Sequence, residues 1–115
     1  MDTKPPTNAH LQNCPVEAVT EVIGGKWKPV IVFQLLQSTT LRFGELQRRM
    51  PGITQKMLTK QLRELEAKGI IQRTVYPEVP PKVEYSLTET GMSLNHIISH
   101  MKSWGEAYVF DAPVA

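Results

Sequence analysis

The residues with the clearest chemistry form a polar series between positions 55 and 63. Intervals of three and four residues place its members on one face of an α-helix, and they are Gln55, Lys56, Thr59, Lys60 and Arg63. Side chains of these types read base edges and bind phosphates in the major groove of DNA. A helix that is merely solvated more often mixes Glu with Lys in i,i+4 pairs. The pattern therefore favours a nucleic-acid-binding helix, with a solvated surface helix as the alternative.

Basic residues are concentrated in the middle third of the chain. The whole sequence has a formal net charge of only +2, with 13 Lys and Arg against 11 Asp and Glu. Between Arg42 and Arg73, however, eight basic residues stand against three acidic ones. Clustered cations of this kind are the electrostatic footprint of a nucleic-acid partner. Arg42, Arg48 and Arg49 are therefore candidates for positioning a duplex, and an ordinary surface charge is the alternative for each.

One cysteine offers redox chemistry. Cys14 precedes Pro15 and is predicted to lie at the N-terminus of the first helix, where the helix dipole favours the reactive thiolate. Because the sequence has no second cysteine, the available products are a sulfenic acid, a mixed disulfide, an adduct or a bridge to another subunit. Cys14 is thus a candidate redox sensor. A small residue packed under the first helix is the alternative.

No residue pattern indicates an active site or a metal centre. The stretch Gly24-Gly25-Lys26-Trp27 lacks the glycine spacing and the Ser or Thr of a phosphate-binding loop. His96 and His100 are four residues apart, as in a metal pair, but position 97 is isoleucine rather than the glutamate of a zinc protease. We therefore predict that the protein is not an enzyme and uses no metal and no cofactor.

Length and composition indicate one cytoplasmic domain. A chain of 115 residues with 41% hydrophobic and 21% charged residues can build a single core. No apolar run approaches the ~20 residues that span a bilayer, and the first residues lack the apolar region of a secretory signal. A lone cysteine fits a reducing compartment. Membrane proteins and secreted disulfide scaffolds are excluded on these grounds.

Apolar spacing and turn residues predict the elements that must position these side chains. The first predicted helix begins at Cys14-Pro15 and ends at Gly24-Gly25. Further helices are predicted at 27–36, 43–50, 55–68 and 89–110. The predicted strands span 39–42, 70–76 and 82–87, the last two being alternating strands joined by a proline-rich tip. Residues 1–13 are expected to form a flexible arm, and residues 14–111 the domain.

The third and fourth predicted helices form a helix-turn-helix. Pro51-Gly52 supplies the turn, Thr54 the N-cap and Gly69 the end of the fourth helix. The residues expected to face the core from that helix are Thr54, Leu58, Leu62 and Leu65. The hairpin that follows supplies a wing. The predicted fold class is α+β and mostly helical, a winged helix-turn-helix domain.

Aromatic residues fall into two groups. Trp27, Phe33 and Phe43 are expected in the core rather than around a ligand. On the last helix, Trp104 and Tyr108, followed by Phe110, make a stripe that is too apolar for a solvated surface. A partner subunit is the simplest way to cover it.

Six motifs occur in fixed order over about residues 14–105. They are Cys14-Pro-Val-Glu, Ile23-Gly-Gly-Lys-Trp-Lys-Pro, Leu41-Arg-Phe-Gly-Glu-Leu, Pro51-Gly-Ile-Thr-Gln-Lys-Met-Leu-Thr, Gln61-Leu-Arg-Glu-Leu-Glu, and Tyr76-Pro-Glu-Val-Pro-Pro-Lys-Val-Glu-Tyr-Ser-Leu-Thr. Together they resemble the HxlR family, bacterial winged helix-turn-helix transcription regulators related in architecture to the MarR group.

The resemblance implies a homodimer on a pseudo-palindromic operator, with the fourth helix in the major groove. It implies that the first and last helices are dimerisation helices, with interface residues Val16, Val19, Ile97, Met101, Trp104 and Tyr108. In the wing, Tyr76 and Lys82 are the implied contacts to the DNA backbone. Some members with a cysteine at the position of Cys14 are redox or electrophile sensors, so the resemblance also bears on that residue.

The sequence thus predicts a cytoplasmic, sequence-specific DNA-binding regulator that represses transcription and responds to redox or electrophile signals through Cys14. Its predicted partners are double-stranded operator DNA and a second copy of the chain, with no membrane. A small-molecule or redox effector is left open. The alternative is a protein-interaction module or a nonspecific architectural DNA-binding module.

Overall fold

The computed structural model describes residues 14–110. Their helices are α1 (Pro15–Ile23), α2 (Lys28–Ser38), α3 (Phe43–Arg48), α4 (Gln55–Ala67), α5 (Glu89–Met92) and α6 (Asn95–Gly105), with a π-helical segment at Glu106–Phe110. Their strands are β1 (Thr40–Leu41), β2 (Ile71–Tyr76) and β3 (Lys82–Leu87). The predicted winged helix-turn-helix fold, mostly helical with a small sheet, is confirmed.

Two predicted boundaries reach beyond that range. The expected flexible arm at 1–13 lies outside the described residues, and the expected domain limit at 111 lies one residue past them. Among the helices of residues 14–110, none has the length and apolar character required to cross a membrane.

The sheet connects the wing to the front of the helix-turn-helix. Its strand order is β1-β3-β2, and both pairs are antiparallel. Leu41 pairs with Tyr85, while Tyr76 pairs with Lys82 at the far end of the hairpin. Because β1 directly precedes α3, this pairing fixes the start of the helix-turn-helix against the wing.

The core forms where α2, α3 and α4 meet the sheet. Its most buried side chains are Ile31, Val32, Leu35, Leu46, Met50, Leu58, Leu62, Leu65 and Ile71. The predicted inward face of α4 is confirmed for its three leucines. It is wrong for Thr54, which precedes the first residue of α4 and is exposed; its hydroxyl accepts the Met57 N–H at 3.0 Å and caps the helix. The expected core aromatics Trp27, Phe33 and Phe43 are half-buried and pack against the core.

The predicted single helix over 89–110 is wrong, because the chain turns between α5 and α6. The Ser93 hydroxyl donates to the Thr90 carbonyl at 2.5 Å, and the Leu94 N–H donates to the Gly91 carbonyl at 3.1 Å. These three-residue spacings tighten the backbone, as expected where a serine side chain competes for helix carbonyls. The end differs too, since α6 stops at Gly105 and a wider π-helical segment follows.

The predicted alternation of the first hairpin strand is also wrong. Only Ile71 of β2 is buried, and the next four residues are all exposed. The reason is that β2 leaves the core after its first residue and continues into the wing, where both faces of the hairpin meet solvent. Strand β3 does show inward residues at its end, where Tyr85 and Leu87 are buried.

A larger residue at position 91 is predicted to destabilise the fold, because Gly91 lies where α5 touches the base of the wing. A Cβ there would lie 2.1 Å from the Ile70 carbonyl oxygen. Gly91→Ala must therefore displace backbone, and we expect it to destabilise the fold by about 1–3 kcal/mol and to lower the melting temperature by at least about 5 °C. Thermal unfolding followed by circular dichroism measures this.

Gly44→Ala is the matched control, because a Cβ at Gly44 meets only Arg48 Nη1 at 3.5 Å, an ordinary contact. Alanine also favours a helix over glycine by up to about 1 kcal/mol. Equal melting temperatures for the two variants would contradict the close packing at Gly91.

Candidate nucleic-acid-binding surface

The recognition candidate, α4, is held at both ends by local chemistry. Thr54 caps its N-terminus, after a turn in which Gly52 takes a φ of 92°. Gly69 ends it with a φ of 75°, a left-handed conformation that glycine adopts without strain. The Thr88 hydroxyl then donates to the Gly69 carbonyl at 2.6 Å. The end of α4 is thereby hydrogen-bonded to the residue that follows β3.

The polar series predicted from sequence does lie together on the outer surface of α4. That surface, called here the α4 face, is lined by Thr54, Gln55, Lys56, Thr59, Lys60, Arg63 and Glu64. Lys56, Lys60 and Arg63 are exposed, and within residues 14–110 none of the three forms a salt bridge. The Thr59 hydroxyl donates to the Gln55 carbonyl at 2.9 Å. The α4 face thus presents unpaired cations beside amide and hydroxyl groups.

A second groove connects the α4 face to the sheet. It encloses about 450 Å³ and is lined by Phe43, Gln55, Thr59, Leu62, Arg63, Glu66, Arg73 and Tyr85. Arg73 is one of the eight basic residues between positions 42 and 73, but it was not predicted to contact DNA. Period-two spacing could have found it, because Arg73 shares a strand face with the buried Ile71. The structure therefore adds an arginine from β2 beside Arg63.

The three arginines around α3 lie outside both of these surfaces. Arg42 precedes α3, where its backbone N–H donates to Glu45 Oε1 at 2.8 Å. The Arg49 guanidinium donates to the Ser38 hydroxyl at 2.5 Å, which holds it against the end of α2. Arg48 lies near Gly44 on the same short helix. All three are exposed, and their proposed contacts to a duplex are separate from the α4 face.

The two predicted wing contacts are partners in the hairpin. Lys82 Nζ lies 4.9 Å from the centre of the Tyr76 ring and 3.4 Å from Glu84 Oε2. The lysine charge is therefore shared with an aromatic face and a carboxylate on its own hairpin. The side chains lie together but line neither the α4 face nor the adjoining groove.

Glu64, the acidic residue on the α4 face, forms a salt bridge with Lys28 of α2. Lys28 Nζ lies 2.5 Å from Glu64 Oε1 and 2.8 Å from Gln61 Oε1. The hydrogen bond from Lys28 lowers the pKa of the Glu64 carboxyl, against the opposing effect of burial, and the charges of Lys28 and Lys60 lower it further. Glu64 is consequently ionised at neutral pH. Sequence analysis did not predict this contact.

The residues expected at a dimer interface form an exposed apolar surface on α1, on α6 and on the π-helical segment that follows α6. Val16 and Trp104 expose 71% and 61% of their area. Val16, Val19, Ile97 and Met101 line one groove between the two helices, of about 510 Å³. Further along, the rings of Trp104 and Tyr108 are 5.0 Å apart. The structure thus brings together all six residues, Val16, Val19, Ile97, Met101, Trp104 and Tyr108, in what we call the α1–α6 face.

Cys14 lies at the edge of this face. It immediately precedes α1, its side chain makes no cap hydrogen bond, and its thiol is free and half-buried. Its neighbours Pro15 and Val16 line the groove between α1 and α6. The thiol is therefore adjacent along the chain to two residues that line this groove.

Among residues 14–110, the histidine pair of α6 is accompanied by no third side chain that could complete a metal site. His96 and His100 are both exposed on α6. Over residues 14–110, no three His, Cys, Asp or Glu side chains are grouped closely enough to hold a metal ion. His100 instead lies beside Ile97, Met101 and Trp104 on the α1–α6 face.

Comparison with known proteins gives one consistent group. The family model described as HxlR-like helix-turn-helix matches residues 22–112. An HTH-type transcriptional regulator of Bacillus subtilis (strain 168), YdeP, is 55% identical over 98 residues, which cover 85% of this chain and 76% of YdeP. A second from the same organism, YybR, is 55% identical over 96 residues, which cover 84% and 76%.

Solved structures agree with these relatives. The redox regulator HypR in its oxidised form superposes with a TM-score of 0.79 at 52% identity, covering 89% of this chain and all of that chain (100%). The reduced form of the transcriptional regulator YodB from B. subtilis superposes with a TM-score of 0.73 at 36% identity, covering 87% and 98%. These similar proteins are regulators rather than enzymes.

Proposed function

The chain belongs to the HxlR-like helix-turn-helix family, and on that premise we propose that this transcriptional regulator represses promoters by binding pseudo-palindromic DNA as a homodimer. The observation that carries the proposal is the α4 face, with three exposed cations that form no salt bridge within residues 14–110. Phosphate binding needs such free cations, because each contact releases counterions from the duplex. An enzyme is not proposed, because the similar proteins are regulators.

On this proposal α4 enters the major groove. Gln55, Lys56 and Thr59, in its first two turns, contact base edges, and a glutamine amide can pair in bidentate fashion with adenine. Lys60 and Arg63 bind phosphates. Arg73 adds a phosphate contact from the strand side, because it lies in the same groove as Arg63.

Further contacts would set the position of the duplex rather than its sequence. Tyr76 and Lys82 of the wing are proposed to touch the backbone of the flanking DNA, and the exposed Arg42, Arg48 and Arg49 to touch phosphates beside α3. Contacts of this kind fix register and orientation without reading bases. They contribute affinity that falls with added salt.

A second copy of the chain is proposed to cover the α1–α6 face. Its exposed Val16, Met101, Trp104 and Tyr108 would otherwise leave a contiguous apolar patch in water. A two-fold axis through such a face is the commonest arrangement of homo-oligomers. It would set two α4 helices about 34 Å apart, one turn of DNA. Binding across a promoter then represses transcription by occlusion, in the cytoplasm.

Cys14 is proposed as the sensor of this regulator. HypR, which is similar to this chain, is a redox regulator, and Cys14 is a free thiol next to the α1–α6 face. Peroxide would oxidise its thiolate to a sulfenic acid and leave hydroxide. That acid would condense with a second thiol, from a small molecule or the other subunit, to give a disulfide and water. Either product would disturb the packing between subunits.

DNA binding is predicted to be sequence-specific and dependent on Lys60 and Arg73. Selection from random duplex DNA should enrich an inverted repeat with half-sites about one helical turn apart. Lys60→Gln and Arg73→Gln should each weaken binding and reduce the slope of log K against log salt by about 0.9, since each removes one phosphate contact. Fluorescence anisotropy across a salt series measures both quantities.

The control is Lys102→Gln, which makes the same charge change on α6, where Lys102 pairs with Glu106 at 2.7 Å. It should leave the salt slope unaltered. Salt-sensitive binding without an enriched sequence would replace the proposal with a nonspecific architectural protein. A binding constant that does not change with salt concentration would contradict the proposed phosphate contacts of α4.

The homodimer is predicted to dissociate when charge enters the α1–α6 face. Trp104→Glu should raise the dimer dissociation constant by about 30-fold or more, because a buried interfacial tryptophan commonly contributes ≥ 2 kcal/mol. Analytical ultracentrifugation measures this. Ser99→Glu is the control, since Ser99 is exposed on α6 away from that face. A wild-type chain that sediments as a monomer would refute the dimer.

Oxidant sensing is predicted to depend on Cys14. Diamide or peroxide should release wild-type protein from its operator, whereas Cys14→Ser should bind equally well before and after treatment. Anisotropy follows the release, and intact-mass spectrometry with nonreducing gels identifies the product as an adduct or a subunit bridge. Reduced wild type and Cys14→Ser should have equal affinities. Release of the serine variant by oxidant would exclude Cys14 as the sensor.

A further inference from the structure

Lys28 is a largely buried lysine that reaches from α2 to the edge of α4. Its side chain is only 13% exposed, against 45% for its partner Glu64. The ammonium donates to Glu64 Oε1 at 2.5 Å and to Gln61 Oε1 at 2.8 Å. Gln61 in turn points its amide nitrogen at Met57 Sδ, 3.2 Å away. Both acceptors of Lys28 therefore belong to α4.

Glu64 has a competing partner on its own helix. Lys60 is four residues earlier and lies on the same α4 face, which is the spacing at which opposite charges pair along a helix. The charge of Lys60 already contributes to the lowered pKa of Glu64, although Lys28 has the larger effect. Without Lys28, the carboxylate would turn to Lys60.

We propose that Lys28 is a positioning residue, which holds the Glu64 carboxylate toward α2 and so leaves Lys60 free for a DNA phosphate. The inference rests on the proposed binding of DNA through α4. It assigns to α2, which has no proposed contact with DNA, a part in setting the charge of the DNA-binding surface.

Glu64 could weaken phosphate binding in two ways. An unpaired carboxylate at this edge would repel an approaching phosphate, and a carboxylate paired with Lys60 would occupy a cation that phosphate needs. Lys28 prevents both, because it neutralises Glu64 from the protein side. Its own charge is too buried to replace Lys60 on the duplex. Removal of Lys28 should consequently act on DNA through Glu64 and Lys60 and not through a lost lysine–phosphate contact.

A double-mutant cycle tests this dependence on Glu64. The probe is a mixed-sequence duplex of about 30 base pairs, roughly three helical turns, titrated at several salt concentrations. Lys28→Met should weaken binding about three- to tenfold, because Lys60 would pair with Glu64 instead of a phosphate. The slope of log K against log salt should fall in magnitude by about 0.9, the effect of losing that one Lys60–phosphate contact. Glu64→Gln in the Lys28→Met background should restore both. Glu64→Gln alone should change affinity by less than about twofold.

Controls separate charge from structure. Lys26→Met makes the same charge change two residues away, where Lys26 is exposed and lies over the Trp27 ring at 4.7 Å, and it should leave the slope unaltered. Lys28→Gln is a second neutral variant that serves in the assay if Lys28→Met is unfolded at the working temperature. Unfolding temperatures of all variants are measured in parallel.

Two results would overturn the proposal. One is a Lys28 variant that binds with the wild-type affinity and salt slope. The other is a double variant that stays as weak as Lys28→Met, since Lys28 would then act only on stability. If Lys60→Gln leaves the slope of wild type unaltered, the proposed α4 contact fails and this inference fails with it, a pattern distinct from the first two.

Discussion

Burial of the leucine face of α4 is the constraint on which the rest of the structure depends. Leu58, Leu62 and Leu65 are each at most 2% exposed, and a helix held along one face must present the opposite face to solvent. Replacing one such leucine by alanine would lower the free energy of unfolding by about 2–5 kcal/mol, a large part of the stability of a small domain. The position of the polar series on the α4 face follows directly from this packing.

The ends of α4 and the wing add the orientation that burial alone leaves free. Thr54 and Gly69 set where the helix begins and ends, and the hydrogen bond of Thr88 to Gly69 joins that end to the base of the wing. Strand β3 pairs with both β1 and β2. The helix and the hairpin therefore share one groove, which Arg73 of β2 and Arg63 of α4 both line.

Helix α2 lies against both the α4 face and the α1–α6 face. Lys28 reaches Glu64 on α4, while the next residue, Pro29, lines the groove between α1 and α6. Two consecutive residues of α2 thus contact the α4 face and the groove between α1 and α6.

The sequence alone determined those features that depend on neighbours along the chain. Proline and glycine positions, caps and apolar spacing are local, so they predicted most elements to within two residues and placed Gln55, Lys56, Thr59, Lys60 and Arg63 on one face. The same local signals missed the turn at Ser93, where a side-chain hydrogen bond to a helix carbonyl prevailed over a continuous apolar stripe.

Contacts between distant residues were decided by the tertiary structure. The pairing of Lys28 with Glu64 spans 36 positions, and Arg73 and Arg63 line one groove because β2 packs beside α4. The exposure of Thr54 and of β2 depends on where the core ends. Periodicity states which face of an element is apolar, but only packing determines which other element covers that face and which polar side chains then meet across the boundary.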